Sequence, residues 1–158
     1  MSVVTPDVSR MLPVDWYAGE DDDDTREGLA LFARCAGYLD EHDWCGGVLR
    51  GFVGLMVPSV LGVALFEIDP DEDADPWLWV IGGDLPFAYM EFDDEATPTA
   101  VDALVRYVEL MTDWADAVVA GAPLDGVFPV DAEPTIDNAQ LLRRRLSFIS
   151  ADIIPSFR

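Results

Sequence analysis

Four aspartates alternate along one predicted turn, at a spacing that carboxylates use to bind calcium. These are Asp69, Asp71, Asp73 and Asp75, and oxygen ligands at alternate positions are typical of calcium-binding loops. The helix–loop–helix calcium motif also requires glycine at its sixth position and glutamate at its twelfth. This chain has Ala74 and Val80 there, so the match fails at both positions. The sequence favours a solvated turn, with a weak cation-binding module as an alternative, and we assign no metal ligand.

A cysteine–histidine pair is the second chemistry that the residue types allow. Cys35 precedes His42 on a predicted helix, and Cys45 follows shortly after it. A nucleophilic thiol needs an adjacent base, but most chains contain one cysteine and one histidine. We therefore interpret Cys35 as a small core residue and His42 as a surface histidine near a helix end. Because no lysine follows a glycine-rich loop either, we predict no enzyme, no catalytic residue and no cofactor.

The charge of the chain favours binding over catalysis. Its 158 residues hold 31 acidic side chains against nine arginines and no lysine, a formal net charge of −22. A field of that sign repels phosphate backbones and anionic lipids, so nucleic acid and membranes are disfavoured as partners. It attracts a basic protein, because opposite charges speed the encounter and add specificity. Hydrophobic residues make up 51% of the chain, which is enough for a folded core beneath an acidic surface.

The predicted partner-binding residues form two acidic blocks and one aromatic pair: Asp21, Asp22, Asp23, Asp24, Asp71, Glu72, Asp73, Asp75, Trp77 and Trp79. Blocks of like charge stay solvated, and the first block also suits a helix start, where the helix dipole favours anions. The two tryptophans share one face of a predicted strand. On an open face they would anchor a partner, whereas on a covered face they would be core. Reversing the three aspartates of the second block to lysine should slow association with a true partner.

The sequence holds one basic cluster, Arg143-Arg144-Arg145. On a helix, three successive side chains fan across about 200° of arc, so they do not all face one ligand. We expect at least one of them to pair with the acidic surface. Contact with an anion or a partner is the alternative.

No export or membrane signal is apparent. Residues 1–19 lack a basic start followed by a sufficient apolar run, and the longest uncharged stretch, Gly51–Phe66, is interrupted by glycine and proline. A spanning helix requires about 20 apolar residues, so we interpret this stretch as buried strands and a turn. Cys35 and Cys45 form no disulfide framework. Together these features favour a cytoplasmic protein with reduced thiols.

The hydrophobic pattern predicts an irregular arm over residues 1–19, anchored by Trp16 and Tyr17, that precedes the folded core. A first helix is expected from Thr25 to Asp43, capped by Thr25 or Asp24. Its apolar stripe consists of Leu29, Phe32, Ala36 and Leu39.

Strands are expected over Val60–Ile68, Trp77–Ile81 and Phe87–Phe92, and Val48–Val57 fits either a strand or a short helix. A second helix starts after Thr97, with Pro98 in its first turn, and stops at Gly121. A third runs from about Thr135 to Ile153. The order of helix, strands and two helices predicts one α+β domain over residues 1–158, with about three helices on a small antiparallel β-meander.

Two segments resemble a group of small uncharacterised bacterial proteins. The first runs from Trp77 to Tyr89, and the second is Phe128-Pro129-Val130 before the last helix. The resemblance covers about the C-terminal half of the chain. It implies a bacterial, soluble, single-domain protein and assigns no activity or site residue.

Small acidic proteins without catalytic motifs are similar in character to immunity proteins that neutralise bacterial toxins. That analogy and the charge favour a non-enzymatic inhibitor whose carboxylates bind a basic partner such as a toxin. The alternative is a housekeeping or structural domain whose acidity reflects proteome composition or solubility. In that case the charge should be spread evenly over the chain.

Overall fold

The first long helix begins where the acidic run begins. A computed structural model describes residues 5–70, 76–130 and 132–158, and it places helix α1 at Asp22–Asp40. Asp21 is the N-cap, because its carboxylate accepts a hydrogen bond from the Asp24 backbone N–H at 2.8 Å. The predicted cap at Thr25 or Asp24 was therefore wrong. The acidic block forms the first turn of the helix. Its negative charges lie beside the positive end of the helix dipole, which is a stabilising arrangement.

The buried stripe of α1 is also displaced from the prediction. Phe32 and Leu39 are buried as expected, but Leu29 is 37% exposed and Ala36 is only half-buried. Leu31 and Cys35 occupy the covered face instead. The prediction followed spacing along the helix alone, whereas the position of the sheet sets which face is covered.

Four antiparallel strands form a meander in the order β1-β2-β3-β4. They are β1 at Cys45–Val57, β2 at Leu61–Pro70, β3 at Trp77–Gly83 and β4 at Ala88–Glu91. The segment that fitted either strand or helix is thus an edge strand, and the predicted meander is confirmed. The tight β1–β2 turn places Ser59 at φ 64°, a left-handed conformation that is uncommon for residues other than glycine.

Both faces of the two central strands are covered. Helix α1 packs on the face that carries Ala64, Phe66 and Leu78. Leu65 and Trp79, which point to the opposite face, are also buried. Because both faces are covered, the sequences of β2 and β3 are nearly continuous apolar runs and do not alternate between apolar and polar residues.

The N-terminal arm follows the edge of the sheet. The Val53 N–H donates to the Leu12 carbonyl at 2.7 Å, and Tyr17 packs edge-on against Phe32 with ring centroids 5.5 Å apart. Trp16, in the short 3₁₀ turn Val14–Trp16, is 75% exposed. Tyr17 therefore anchors the arm as predicted, whereas Trp16 contributes nothing to the core.

The chain divides into two compact units, with the boundary between Ala103 and Leu104. Helix α2 spans Ala100–Ala120 and begins two residues later than Pro98 suggested, because Thr99 caps it through the Asp102 N–H. Helix α3 covers Ile136–Phe148, with Thr135 as its N-cap. It continues through a π-helical turn, Ile149–Ile153, into a 3₁₀ turn, Ile154–Phe157. The inward positions predicted for this helix are all buried: Leu142, Leu146, Ile149 and Ile153.

The secondary structure is that of an α+β protein with a meander sheet, as the sequence predicted. The prediction of one domain stays a prediction. Within the described ranges, no helix is both long and apolar enough to cross a membrane.

Candidate protein-binding surface

The acidic segment, Glu20–Asp24, lies at the start of α1 with its side chains on the surface. Desolvation is the largest cause that raises the pKa of Asp24, and the neighbouring carboxylates of Asp21, Glu27, Glu20 and Asp23 raise it further. Neighbouring groups of like charge disfavour each other's ionised form. The carboxylates of the segment therefore repel one another.

Only one arginine compensates charge inside this segment. Arg26 lies 3.0 Å from the Asp23 carboxylate, and both side chains are largely solvated, so the pair contributes little to stability. Among the described residues, every aspartate and glutamate is exposed or half-exposed. The carboxylates of the described residues therefore lie on the surface and do not form a buried network.

The negative charge is concentrated in the first unit. Residues 1–103 contain 23 acidic residues and four arginines, a formal charge of −19. Residues 104–158 contain eight acidic residues and five arginines, which leaves −3. The strongly acidic part of the protein is thus the unit that holds α1 and the sheet.

The predicted aromatic anchors are core residues. Trp77 and Trp79 are 3% and 2% exposed, and the Trp79 indole N–H donates to the Thr97 carbonyl at 2.9 Å. The Arg50 guanidinium lies 5.3 Å from the centre of the Trp77 ring and binds Glu67 at 2.7 Å. The two tryptophans therefore lie on a covered face of the strand, and not on an open face. Neither indole is available to a partner in this conformation.

The second acidic block, Asp71, Glu72, Asp73 and Asp75, lies outside the described residues. The flanking Asp69 is exposed at the end of β2. The predicted role of this block in partner binding, and the alternative of a weak cation site, stay predictions. Among the residues that the structure describes, no group of three or more histidine, cysteine or acidic side chains is arranged to hold a metal ion.

Five rings form a half-buried aromatic cluster that the sequence analysis missed: Tyr38, His42, Trp44, Phe87 and Tyr89. His42 is at its centre, with ring centroids 5.0 Å from Tyr38, 4.7 Å from Trp44 and 5.1 Å from Tyr89. Its Nδ1 lies 2.9 Å from the Tyr38 carbonyl oxygen. The interpretation of His42 as a surface histidine is corrected, because three rings pack around it.

The cluster joins the end of α1 to the edge strand β4. Tyr38 is in the last turn of α1, and His42 lies two residues after the helix ends at Asp40. The closeness of Tyr38, His42 and Trp44 in the sequence was an available signal. Phe87 and Tyr89 come from a distant part of the chain, next to and within β4. Only the packing of α1 across the sheet brings them to Tyr38, with the Phe87 and Tyr89 rings at 5.7 Å and 6.3 Å.

The thiols are poorly suited to nucleophilic chemistry. Burial raises the pKa of Cys35 to about 12, against a smaller opposing effect of Arg34. Burial is also the main cause that raises the pKa of Cys45, with the Asp40 carboxylate adding to it. Since the thiolate is the reactive form, neither cysteine has an activated sulfur.

A cleft of about 450 Å³ lies beside α1 and the β1–β2 turn, and Glu27, Arg34, Ser59 and Asp84 are among its lining residues. The Ser59 hydroxyl donates to the Glu27 carboxylate at 2.9 Å. In a Ser-His-Asp triad the nucleophilic serine is hydrogen-bonded to an imidazole base. His42 is not among the residues lining this cleft, since it belongs to the aromatic cluster.

The arginine triplet behaves as predicted for at least one member. Arg143 donates from Nε to the Asp116 carboxylate at 2.9 Å, within the second unit. Arg144 is exposed and Arg145 is half-exposed.

No protein-family model matches this chain, and comparisons with curated proteins and with solved structures also give no significant match. The two prominent features of the surface are the acidic segment at the start of α1 and the aromatic cluster at its other end.

Proposed function

We propose that this chain is a non-enzymatic binding protein that holds a basic protein partner, in the manner of an immunity protein that neutralises a bacterial toxin. The observation that carries the proposal is the uneven charge, −19 over residues 1–103 against −3 over residues 104–158. Acidity that served solubility alone would be spread over both units. A charge concentrated in one unit instead gives that unit a field that steers a basic partner.

The surface chemistry supports the same proposal. The acidic segment has an excess of carboxylates over cations, and their mutual repulsion contributes to the raised pKa of Asp24. A basic partner relieves that repulsion on binding, which adds a favourable term to the association. The same field opposes the binding of nucleic acid, whose backbone carries the same sign of charge.

The first experiment is a capture assay with the full chain, tagged and expressed in its own host. The lysate is bound at low salt and the column is washed with stepwise increasing salt. We expect one basic protein to be released at stoichiometric yield, because charge-driven complexes weaken as salt screens them. An empty column, or a mixture of proteins in trace amounts, would leave the solubility explanation of the acidity as the better one.

Matched charge variants then locate the binding unit. One variant carries Glu20→Gln, Asp22→Asn and Asp23→Asn, and the control carries Glu109→Gln, Asp113→Asn and Asp125→Asn, so both have the same net charge. We expect the first to slow association with the captured partner several-fold more than the control at low salt, with the difference fading as salt rises. Equal rates for both variants would place the contact away from the acidic segment.

A further inference from the structure

The aromatic cluster has the composition of an anchoring point for a partner. Its five rings are half-buried, so they are held by the core and still reach the surface. Aromatic side chains in such positions dominate binding energy at protein interfaces, because they present a large rigid surface at small cost in conformational entropy. Trp77 and Trp79 do not fill this role, since both are buried.

The rings of this unit already bind guanidinium groups within the chain. The Arg34 guanidinium carbon lies 5.0 Å from the centre of the Phe87 ring, at one side of the cluster. Arg50 lies 5.5 Å from the Phe52 ring in the same way. Attraction between a cation and the face of an aromatic ring acts at these distances. The cluster is thus continuous with a contact of the kind that an arginine from outside would make.

Three carboxylates alternate with members of the cluster in the sequence. Asp40, Glu41 and Asp43 are interspersed with its members Tyr38, His42 and Trp44, and all three acids are exposed. An arginine is the cation that uses both neighbours at once, because its planar fork binds a carboxylate in bidentate fashion while its face stacks on a ring. A lysine ammonium has the charge but neither the plane nor the fork.

We infer that the aromatic cluster binds an arginine side chain of the basic partner, against Trp44 and Tyr89, with Asp40, Glu41 and Asp43 supplying carboxylates around it. This inference rests on the proposed function and names the chemistry of its central contact. The acidic segment at the other end of α1 contributes long-range attraction. The aromatic cluster selects arginine over lysine at close range.

The test uses two synthetic peptides of equal charge, Ac-(Arg-Gly)4-NH2 and Ac-(Lys-Gly)4-NH2, titrated into the full chain. Chemical shifts of the Trp44 indole N–H and the His42 ring are followed by NMR, with the exposed Trp16 indole as an internal control. We expect the arginine peptide to shift the Trp44 and His42 signals, and to bind about two- to thirty-fold more tightly than the lysine peptide. This comparison uses the unaltered protein, so it does not depend on any variant folding.

Two variants provide the second measurement. Trp44→Leu and Tyr89→Leu should each remove most of the preference for arginine, whereas Trp16→Leu should leave it unchanged. Equal binding of both peptides, or a preference that survives both variants, would overturn the inference. If the peptides bind equally but the charge variants of the acidic segment still slow the captured partner, the proposed function stands without this contact. If the capture assay fails while the arginine preference is observed, the proposed function is the part that is wrong.

Discussion

The indole N–H of Trp79 donates a 2.9 Å hydrogen bond to the backbone carbonyl of Thr97, joining the middle of β3 to the segment before α2. Thr97 is itself 5% exposed, and its hydroxyl accepts from the Asp93 N–H and donates to the Glu91 carbonyl. Trp79 therefore holds Thr97 in place, and the Thr97 hydroxyl in turn binds Glu91 and Asp93 at the end of the edge strand β4. Trp79, which the sequence analysis considered as a surface anchor for a partner, is instead a buried residue that stabilises the fold.

Replacing Trp79 tests that role. Trp79→Phe removes the donor and leaves the Thr97 carbonyl without this partner in a buried site, so we expect a loss of about 1–3 kcal/mol in the free energy of unfolding. Trp16→Phe changes the same atoms on a side chain that is 75% exposed and should alter stability by less than about 0.5 kcal/mol. Urea unfolding of both variants gives the comparison, and similar midpoints would contradict the assignment.

Two glycines of α1 form a matched pair. A Cβ atom on Gly28 would overlap the Tyr17 ring, whereas one on Gly37 would meet nothing within 4 Å. Gly28→Ala should displace Tyr17 and cost about 1–3 kcal/mol by overpacking. Gly37→Ala should stabilise the helix by about 0.5–1 kcal/mol. Thermal unfolding reports both signs, and a stabilising Gly28→Ala would show that the arm does not pack at this position.

Substitutions in the first turn of α1 distinguish the effect of the N-cap hydrogen bond on stability from the effect of a negative charge. Asp21→Ala removes both a charge and the hydrogen bond to the Asp24 N–H, and should cost about 1 kcal/mol of stability. Asp22→Ala removes a charge from the same turn without removing the cap, so its cost should be smaller. Because salt screens charges and not the cap hydrogen bond, the difference should persist in 1 M NaCl. Its disappearance there would assign the effect to the helix dipole alone.

Cys35 should resist thiol reagents in the folded protein. With its pKa raised to about 12, the thiolate fraction at pH 8 is about one in ten thousand. We expect native protein to react quickly with a disulfide reagent at no more than one thiol, Cys45, and at both in urea. Rapid labelling of two thiols in the native state would disprove the burial of Cys35.

The same shift has a consequence for stability at high pH. The folded-state pKa of Cys35 lies above the ordinary thiol value of 9.0, so above about pH 9 the unfolded chain loses this proton first. Stability that is present below pH 9 should therefore decline as the pH rises toward 12. Cys35→Ala lowers stability at every pH by leaving a cavity, but should flatten this alkaline slope. An unchanged slope between pH 9 and 11 would assign the decline to other groups, such as Tyr17, whose pKa is also raised.

Apart from β1, which fitted either a strand or a short helix, the sequence alone determined the types and order of the helices and strands, because apolar spacing and chain-breaking residues act locally. The inward positions of α3 and the strand at Leu61–Pro70 follow from that spacing. Composition likewise determined the acidity, and with it the class of partner that we propose. The cap of α1 was misplaced because several adjacent residues, Asp21 to Thr25, have side chains suited to the same cap.

Only the tertiary structure decided which side chains are exposed and can contact a partner. Whether Trp77 and Trp79 lie on an open or a covered face depends on what packs over the sheet, which no pattern within a strand reveals. The aromatic cluster joins Tyr38, His42 and Trp44 to Phe87 and Tyr89 across more than forty residues of chain. Such contacts arise when α1 buries its apolar face against the sheet, and that burial is a property of the folded chain as a whole.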